Sequence, residues 1–372
     1  MNTSIARHLK NRTATILGRA ALLLALSGAR ATSLEDWAKM EPIVPCHYVC
    51  QRATSPVAVD GRLDDKAWQA APWTEDFVDI EGDAKPRPKF RTRAKLLWDD
   101  DYLYIAAELE EPDVWGTLTK HDSVIFRDPD FEVFLNPDGS SHEYYEFEMN
   151  ALNTGWDLYL SKPYKDGGKA EDDWDIPGLK TAVHVRGTLN RPGDKDEGWT
   201  LEIAFPWKGF SRHTNRRGLA PRDGDQWRLG FSRVEWQVNV SAGAYQKVPG
   251  TVENNWIWSP QGIVDMHRPE KWGYLQFTSS PATAQFHPDE TATARSALQR
   301  IYNAQRDFQK EKGRWAKSLA ELGVGDLNAG NRFEHLDLQG SANGFTATAV
   351  LKDKAGKTRR VHIRQDSKVW ED

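Results

Sequence analysis

Alternation of apolar and polar residues with a period of two dominates the chain from about Pro56 to Phe277. Four segments show it most clearly, with apolar rows at Leu103, Ile105, Ala107 and Leu109, at Phe131, Val133 and Leu135, at Leu201, Ile203 and Phe205, and at Trp227, Leu229 and Phe231. Such alternation predicts strands that bury one face. Clusters of Gly, Pro, Asn and Asp separate the rows, which favours sequential antiparallel strands in a β-sandwich over βαβ units.

The period of the pattern changes after residue 278. Segment 279–290 is rich in Ser, Pro, Thr and Ala, a composition typical of a linker. Apolar residues then recur at i, i+3, i+4 and i+7 from Ala294 to Phe308. This spacing predicts an amphipathic helix of roughly five turns, which Gly313 ends.

The remaining C-terminal residues predict a small mixed unit. Its elements are a short helix over 317–322, strands over 345–351 and 361–363, and a basic turn over 352–360 that we interpret as a solvated hairpin tip. The predicted fold is therefore mainly β, an antiparallel β-sandwich followed by a small C-terminal α+β domain. The predicted segments are a signal peptide over 1–31, an N-terminal extension over 32–54, the sandwich over 55–278, the linker over 279–290 and the α+β domain over 291–372.

Residues 1–31 have the composition of a secretory signal peptide. They contain four basic residues ahead of a short apolar run over 20–26, namely Arg7, Lys10, Arg12 and Arg19. The motif Ala29-Arg30-Ala31 then has the small-x-small form of a cleavage site. Because a spanning helix needs about 20 apolar residues, we expect export to the periplasm or the exterior, with no membrane span in the mature chain.

Charge argues against two classes of partner. The full chain carries a formal net charge of −5, and removal of 1–31 takes away five basic residues and no acidic ones, which brings it to −10. An acidic exported chain is a poor candidate for binding nucleic acid or an anionic membrane surface. We therefore expect neither partner.

The N-terminal extension holds the two cysteines of the chain, Cys46 and Cys50. An oxidising compartment allows a disulfide, although a bridge over three intervening residues is geometrically tight. Free thiols and a local disulfide both remain open from the sequence. The spacing lacks the C-x-x-C-H of haem attachment and the additional ligands of a zinc site.

Tryptophan is unusually frequent, with 16 residues against 4 methionines. Thirteen of them lie between Trp68 and Trp272. Because Trp combines a large apolar area with a polar N–H, this density indicates an aromatic core or a stacking surface. Most of these side chains are expected to be core.

Six motifs in a fixed order give the β-rich region a family resemblance. They lie at 57–68 (VAVDGRLDDKAW), 97–104 (LWDDDYLY), 130–139 (DFEVFLNPDG), 144–150 (YYEFEMN), 198–207 (GWTLEIAFPW) and 272–277 (WGYLQF). Together they resemble the family 9 carbohydrate-binding module over roughly Ser55 to Phe277. The resemblance implies a sandwich related to the DOMON type, which in known cases holds sugar in a cleft and is attached to secreted polysaccharide-degrading enzymes. It therefore implies an exported, non-catalytic protein that binds an oligo- or polysaccharide and assists carbohydrate catabolism.

The resemblance also implies specific ligand residues. In xylanase-linked modules of this family two Trp side chains hold the sugar ring between them. Alignment on the motifs places Phe126 at the first of these positions and Met266 at the second, so the double-Trp clamp is lost or relocated, while Phe126 is still able to stack. Glu132 matches the polar ligand residue of the family. Because the two-Trp clamp is not retained at these positions, we expect weak sugar binding.

Two strand patterns extend this expected site. Tyr144, Glu146, Glu148 and Asn150 share one face, a mixed strip of the kind that orients sugar hydroxyls, although a solvated strand face gives the same pattern. Arg233 and Glu235 continue an inward apolar row and are either paired with each other or functional. The expected ligand-binding residues are Phe126, Glu132, Glu148, Asn150, Trp156, Arg233, Glu235 and Trp258.

Three other kinds of site remain open. Glu132 with Glu146 or Glu148 offers the carboxylate pair of a glycoside hydrolase acting on O-glycosyl bonds, although the chain has no nucleophile elbow, P-loop or H-E-x-x-H motif. DOMON-type sandwiches include haem binders, for which the residues available here are Met149, Met266 and His267. Acidic loops offer oxygen ligands for a structural Ca²⁺ at Asp79, Glu81 and Asp83 and at Asp99, Asp100 and Asp101.

The C-terminal unit carries a second, fainter resemblance. The helix over 297–308 and the following Gly313-Arg314-Trp315 resemble the globular part of type IV pilins and pseudopilins over about 30 residues. The helix used for prepilin processing has no counterpart here. We interpret the unit as an accessory or interaction domain with a protein partner, or simply as a small α+β cap.

Overall fold

The computed structural model describes residues 34–210, 218–280 and 284–372. The predicted signal peptide lies outside these residues. The helices are α1 (Leu34–Met40), α2 (Lys66–Ala70), α3 (Ala292–Lys312) and α4 (Leu319–Leu322). The strands are β1 (His47–Arg52), β2 (Val78–Asp79), β3 (Thr92–Trp98), β4 (Tyr102–Glu110), β5 (Asp130–Asn136), β6 (Tyr144–Asn150), β7 (Gly155–Leu160), β8 (Ala170–Glu171), β9 (Lys180–Arg186), β10 (Gly198–Pro206), β11 (Gln226–Glu235), β12 (Val238–Ser241), β13 (Ala244–Lys247), β14 (Asn254–Ile257), β15 (Gly273–Thr278), β16 (His335–Gly340), β17 (Phe345–Lys352), β18 (Thr358–Arg364) and β19 (Val369–Glu371).

Thirteen strands form one large curled sheet. Its main path runs β8-β7-β6-β5-β11-β15-β1-β3-β4-β10-β9, and β14 and β2 branch from β11. The mainly β prediction is confirmed. The expectation of a wholly antiparallel sandwich is corrected, because β1 lies parallel to both β15 and β3 and thereby joins the two halves into one mixed sheet. The polar and aromatic mixture in β1 had not revealed it as a strand.

The core lies inside the curl, between the two ends of the strand path. Phe147 of β6 meets Phe205 of β10 edge-to-face at 5.9 Å between ring centroids, and Tyr145 meets Phe210 at 4.9 Å. All four predicted apolar rows are buried in this core. The core includes six buried tryptophans, namely Trp98, Trp199, Trp207, Trp227, Trp256 and Trp258.

The C-terminal unit consists of α3 packed on a four-stranded antiparallel sheet in the order β16-β17-β18-β19. The predicted helix is confirmed, and Gly313 ends it in the left-handed conformation with φ +70°. The predicted hairpin is confirmed as β17 and β18, with the basic turn between them. The sequence pattern did not reveal β16 and β19.

A buried carboxylate joins this unit to the large sheet. Asp166 accepts hydrogen bonds from the hydroxyls of Tyr302 and Ser367, at 2.6 and 2.5 Å. The N–H of Val369 donates to the carbonyl of Ser140 at 2.9 Å. The division into separable domains at 279–290 stays a prediction.

Two further features bear on the sequence predictions. Both cysteines are free thiols, and the extended backbone at β1 separates Cys46 from Cys50 by about 13 Å, too far for a disulfide. None of the helices within the described ranges combines the length and apolar character that a membrane span requires.

Candidate functional site

The outer face of β5 and β6, turned away from the core, carries four carboxylates. Glu132 lies directly opposite Glu148 in the antiparallel register, and Asp130 and Glu146 flank them on the same face. All four are at most 5% exposed. The alternation of these strands therefore separates an apolar core face from an acidic face that is also buried.

These carboxylates have few partners. Asp130 accepts from the N–H of Val234 at 3.2 Å, and Glu148 accepts from the N–H of Phe126 at 2.9 Å. In the part of the chain that the structure describes, no Lys or Arg nitrogen lies within 4.0 Å of the four. Oδ2 of Asp130 and Oε2 of both Glu132 and Glu146 accept no hydrogen bond.

Burial without counter-charges changes the acidity of the group. Desolvation raises the pKa of Glu132 to about 7, against the lowering effect of the Ser232 hydroxyl that faces it from β11. Desolvation and then repulsion between neighbours raise the pKa values of Asp130, Glu146 and Glu148 well above the ordinary range. Protons are therefore retained in this cluster near neutral pH.

Partly exposed rings surround the acidic face. Phe126 and Trp156 are half-buried, and Tyr164 is 39% exposed. The indole N–H of Trp236 donates to the carbonyl of Phe126 at 3.0 Å, which holds the turn at 125–127 over Glu148. The indole N–H of Trp156 is buried and has no acceptor. The arrangement combines stacking surfaces at the rim with unsatisfied polar atoms beneath.

The structure divides the eight predicted ligand residues between two faces of the sheet. Phe126, Glu132, Glu148, Asn150 and Trp156 lie on or beside the outer face of β5–β7. Arg233, Glu235 and Trp258 lie on the core side. Successive residues of β11 point to opposite faces, so Ser232 faces Glu132 while Arg233 points away from it.

The residues on the core side are fully engaged. Arg233 donates to both Glu235 and Glu111 at 2.7 Å, to the hydroxyl of Thr92 at 3.0 Å and to the carbonyl of Glu110 at 2.8 Å. Trp258 packs against Phe231 in the core, with ring centroids 5.9 Å apart. The sequence left Arg233 and Glu235 either paired with each other or functional, and in the structure they are paired.

Asn150 has a structural role at the end of β6. Its amide donates to the carbonyl of Leu118 at 2.9 Å, and its carbonyl accepts from the N–H groups of Leu152 and Thr154 at 3.1 Å. These bonds close the turn between β6 and β7.

The family is decided by a match that covers half of the chain. The model of the carbohydrate family 9 binding domain-like family matches residues 59–246. The chain belongs to this family.

Relatives of this family 9 protein are distant. Endo-1,4-beta-xylanase C of Paenibacillus barcinonensis is 32% identical over 170 residues, which make up 43% of this chain and 13% of the xylanase, so the chain spans a small part of that enzyme. A solved chain from Bacteroides uniformis ATCC 8492 has a TM-score of 0.48 and 15% identity to this protein. The match covers 63% of this chain and the whole of the solved chain. A family 9 module of Caldicellulosiruptor kristjanssonii, solved with cellotriose and with glucose, has TM-scores of 0.41 at 15% and 14% identity and covers 65% of this chain, again over its own full length.

The three residues considered for haem do not converge in this family 9 chain. Met149 is buried in the core, on the opposite face of β6 from the carboxylates. His267 bonds through Nδ1 to the hydroxyl of Tyr144 at 2.8 Å, and its ring contacts Phe134 and Tyr164. A porphyrin would need these contacts to break, so the donor set does not fit it.

Metal ligands gather elsewhere than in the predicted loops. Within the described residues, two groups bring three or more ligand atoms within 4.8 Å of one another: Asp130, Glu132 and Glu148, and His121, Asp122, Asp157 and Asp175. Neither group includes the acidic loops at 79–83 and 99–101. Asp99 instead accepts from the N–H groups of Asp101 and Tyr102 and thereby forms the turn before β4.

Sequence reasoning missed several residues of the acidic face. Asp130 lies two residues before Glu132 on the same strand, and Ser232 lies opposite Glu132 on the neighbouring strand β11. The alternation along β5 and the pairing of β5 with β11 were the signals that could have located them. Tyr164 follows β7 in a turn and offered no signal, yet Glu146 and Glu148 contribute, after burial, to raising its pKa. Its ring belongs to the rim of the acidic face.

Proposed function

We propose that this protein is an exported, non-catalytic carbohydrate-binding protein that assists polysaccharide breakdown. The membership of the carbohydrate family 9 binding domain-like family carries the proposal. The ligand site we propose is the outer face of β5–β7, with Glu132 and Glu148 as hydroxyl acceptors and with Phe126, Trp156 and Tyr164 as stacking rings.

The chemistry of this face supports a sugar. Acceptor atoms without donors suit sugar hydroxyls, and aromatic rims suit the C–H faces of a pyranose. The unpartnered indole N–H of Trp156 adds a donor. The 32% identity to part of a xylanase makes xylan fragments the first candidates.

Burial of the carboxylates sets the expected strength. The turn at 125–127 covers Glu148, so a sugar reaches the acceptors only when this turn moves. Moving it costs the Phe126–Glu148 and Trp236–Phe126 hydrogen bonds, and no second Trp encloses the ring. We expect dissociation constants of roughly millimolar to tens of micromolar.

A glycan array followed by calorimetry on the purified chain tests the proposal. The panel should include xylo-oligosaccharides and cello-oligosaccharides. Trp156→Ala and Tyr164→Ala should each weaken a hit about tenfold, because each removes one stacking ring. At pH 8, above the Glu132 pKa of about 7, Glu132→Gln should weaken it further, because the amide offers one acceptor where the carboxylate offers two.

Glu197→Gln serves as the matched control, since that side chain is 82% exposed and lies in the loop just before β10. Unchanged binding in all three site variants would place the ligand elsewhere. Release of reducing ends by the pure protein, lost on Glu132→Gln, would instead make it a glycoside hydrolase. Export is tested separately, by fractionating cells that express the full-length chain.

A further inference from the structure

A second polar site lies away from the acidic face, where β7, near one end of the strand path, comes close to β9 at the other end. We call this place the seam of the curled sheet. A cavity of about 540 Å³ opens there between β7 and the start of β9, and Asp157, His121 and Asp175 contribute to its wall. These residues come from β7, from the loop before β5 and from the loop before β9. The seam is thus a place where three separate segments meet.

The imidazole of His121 is held in one tautomer. Its Nδ1 lies 2.7 Å from the carbonyl oxygen of Gly155, which only accepts hydrogen bonds, so Nδ1 carries a proton. In the neutral ring this leaves the lone pair on Nε2. Nε2 faces Oδ1 of Asp157 at 3.5 Å and Oδ1 of Asp175 at 3.2 Å.

Asp157 supplies an independent indication of a ligand. Its side chain is only 2% exposed, and Oδ2 accepts from the N–H of Ile176. Oδ1 is buried, accepts no hydrogen bond and points at the imidazole. A buried carboxylate oxygen without a donor is costly unless a proton or a cation lies against it.

The spacing matches metal coordination. A tetrahedral ion with bonds near 2.0–2.1 Å separates its ligand atoms by about 3.3–3.4 Å. The two separations from Nε2 of His121, 3.2 and 3.5 Å, bracket that value. Asp122, whose Oδ1 lies 3.4 Å from Nδ1 of the same imidazole, adds a fourth side chain, and one ligand atom from each of the four residues lies within 4.8 Å of the others.

We propose that His121, Asp157 and Asp175, with Asp122 as the fourth ligand, bind a divalent metal ion of the zinc class. One imidazole among carboxylates favours such an ion over Ca²⁺, which takes oxygen ligands only. The hydrogen bond from Nδ1 to a backbone carbonyl is the orienting contact that metal-bound histidines make. The bound ion would tie the three segments together across the seam.

Calorimetry and thermal unfolding of the tag-free full chain, stripped with EDTA, test this proposal. We expect one equivalent of Zn²⁺ to bind and to raise Tm by several degrees, because the ion binds only the folded state. His121→Ala and Asp175→Asn should each weaken Zn²⁺ binding about 100-fold or more, since even outer contacts of metal ligands are worth 10–100-fold. Asp173→Asn, an exposed neighbour in the same loop, should bind as the parent does.

The alternative is a direct ion pair in which His121 is protonated and no metal binds. It predicts no Zn²⁺ uptake by the parent, and that result would overturn the proposal. Uptake that persists unchanged in His121→Ala, or that is lost in Cys46→Ser instead, would also overturn it. Stronger binding of Ca²⁺ than of Zn²⁺ would contradict the role given to the imidazole. None of these results depends on sugar binding at the other face.

Discussion

The two faces of the sheet bury carboxylates in opposite ways. On the core side, Glu111 and Glu235 share the guanidinium of Arg233, whose donors are used by two carboxylates, a hydroxyl and a carbonyl. On the outer side, four carboxylates lie equally deep and receive two backbone N–H bonds. The first arrangement places a cation among its carboxyls, although burial and repulsion by Glu235 still raise the pKa of Glu111 to about 9, whereas the second leaves acceptor atoms without donors.

We interpret the difference as one between a structural use and the proposed ligand-binding use of the same residue type. A buried charge cluster that contributes only to folding is stable when it is completed internally, as around Arg233. The cluster on β5 and β6 is incomplete although it sits on rigid neighbouring strands. Incomplete polar groups held in place by well-packed elements are typical of binding sites.

Removing the cation from the completed cluster should have the largest effect. Arg233→Met leaves Glu111 and Glu235 buried without a counter-charge, so we expect a loss of about 3–5 kcal/mol in the free energy of unfolding, measured by urea denaturation. Exposed Arg127 supplies the control as Arg127→Met. Adding Glu111→Gln and Glu235→Gln to Arg233→Met should recover part of the loss. If Arg233→Met alone were as stable as the parent, the ion pairs of Arg233 would contribute little to the free energy of unfolding.

The cluster on β5 and β6 should also respond to pH. A carboxyl whose pKa is raised on folding keeps its proton longer in the folded state, so stability falls as pH rises from the unfolded value near 4.5 through the folded one. For Glu132 that window extends to about pH 7, and the pKa of Glu148 is likewise raised well above its ordinary value. Glu132→Gln should therefore stabilise the fold at pH 8 by about 1–3 kcal/mol and change little at pH 4.

Urea denaturation from pH 4 to pH 8 measures this difference, with Glu197→Gln as the exposed control. A Glu132→Gln variant that is destabilised equally at both pH values would mean that the carboxylate is ionised and paired. The outer face would then resemble the core side, and the contrast between the two faces would not hold.

The sequence located the strands better than the site, for physical reasons. Period-two rows record burial of one face, so the rows at 103–109 and 131–135 were placed correctly. The same pattern does not record what covers the other face, because the cover comes from residues far apart along the chain. Trp236 holds Phe126 there, and Met266 packs against Phe134 and Tyr144 on the same face. Hence the strip on β6 suited a solvated face as well as a buried one.

The same reasoning explains the charged residues. Arg233 and Glu235 stand two apart on one face, so their pairing was a local inference. Their third partner, Glu111, is 122 residues from Arg233, and no periodicity reports such a contact. The metal ligands proposed at the seam come from strand β7 and from two loops, and they are equally invisible to pattern analysis.

The smallest change removes one hydrogen-bond donor from the residues that cover the outer face. Trp236→Phe keeps an aromatic ring but loses the N–H that donates to the carbonyl of Phe126 at 3.0 Å. We expect a loss of about 0.5–1.5 kcal/mol in stability at pH 5, the usual worth of one hydrogen bond. Because the looser turn at 125–127 admits water to Glu148, the fall in stability between pH 5 and pH 8 should also become shallower. Trp236→Phe with an unchanged pH dependence would mean that another element, such as the segment around Met266, seals the carboxylates from solvent.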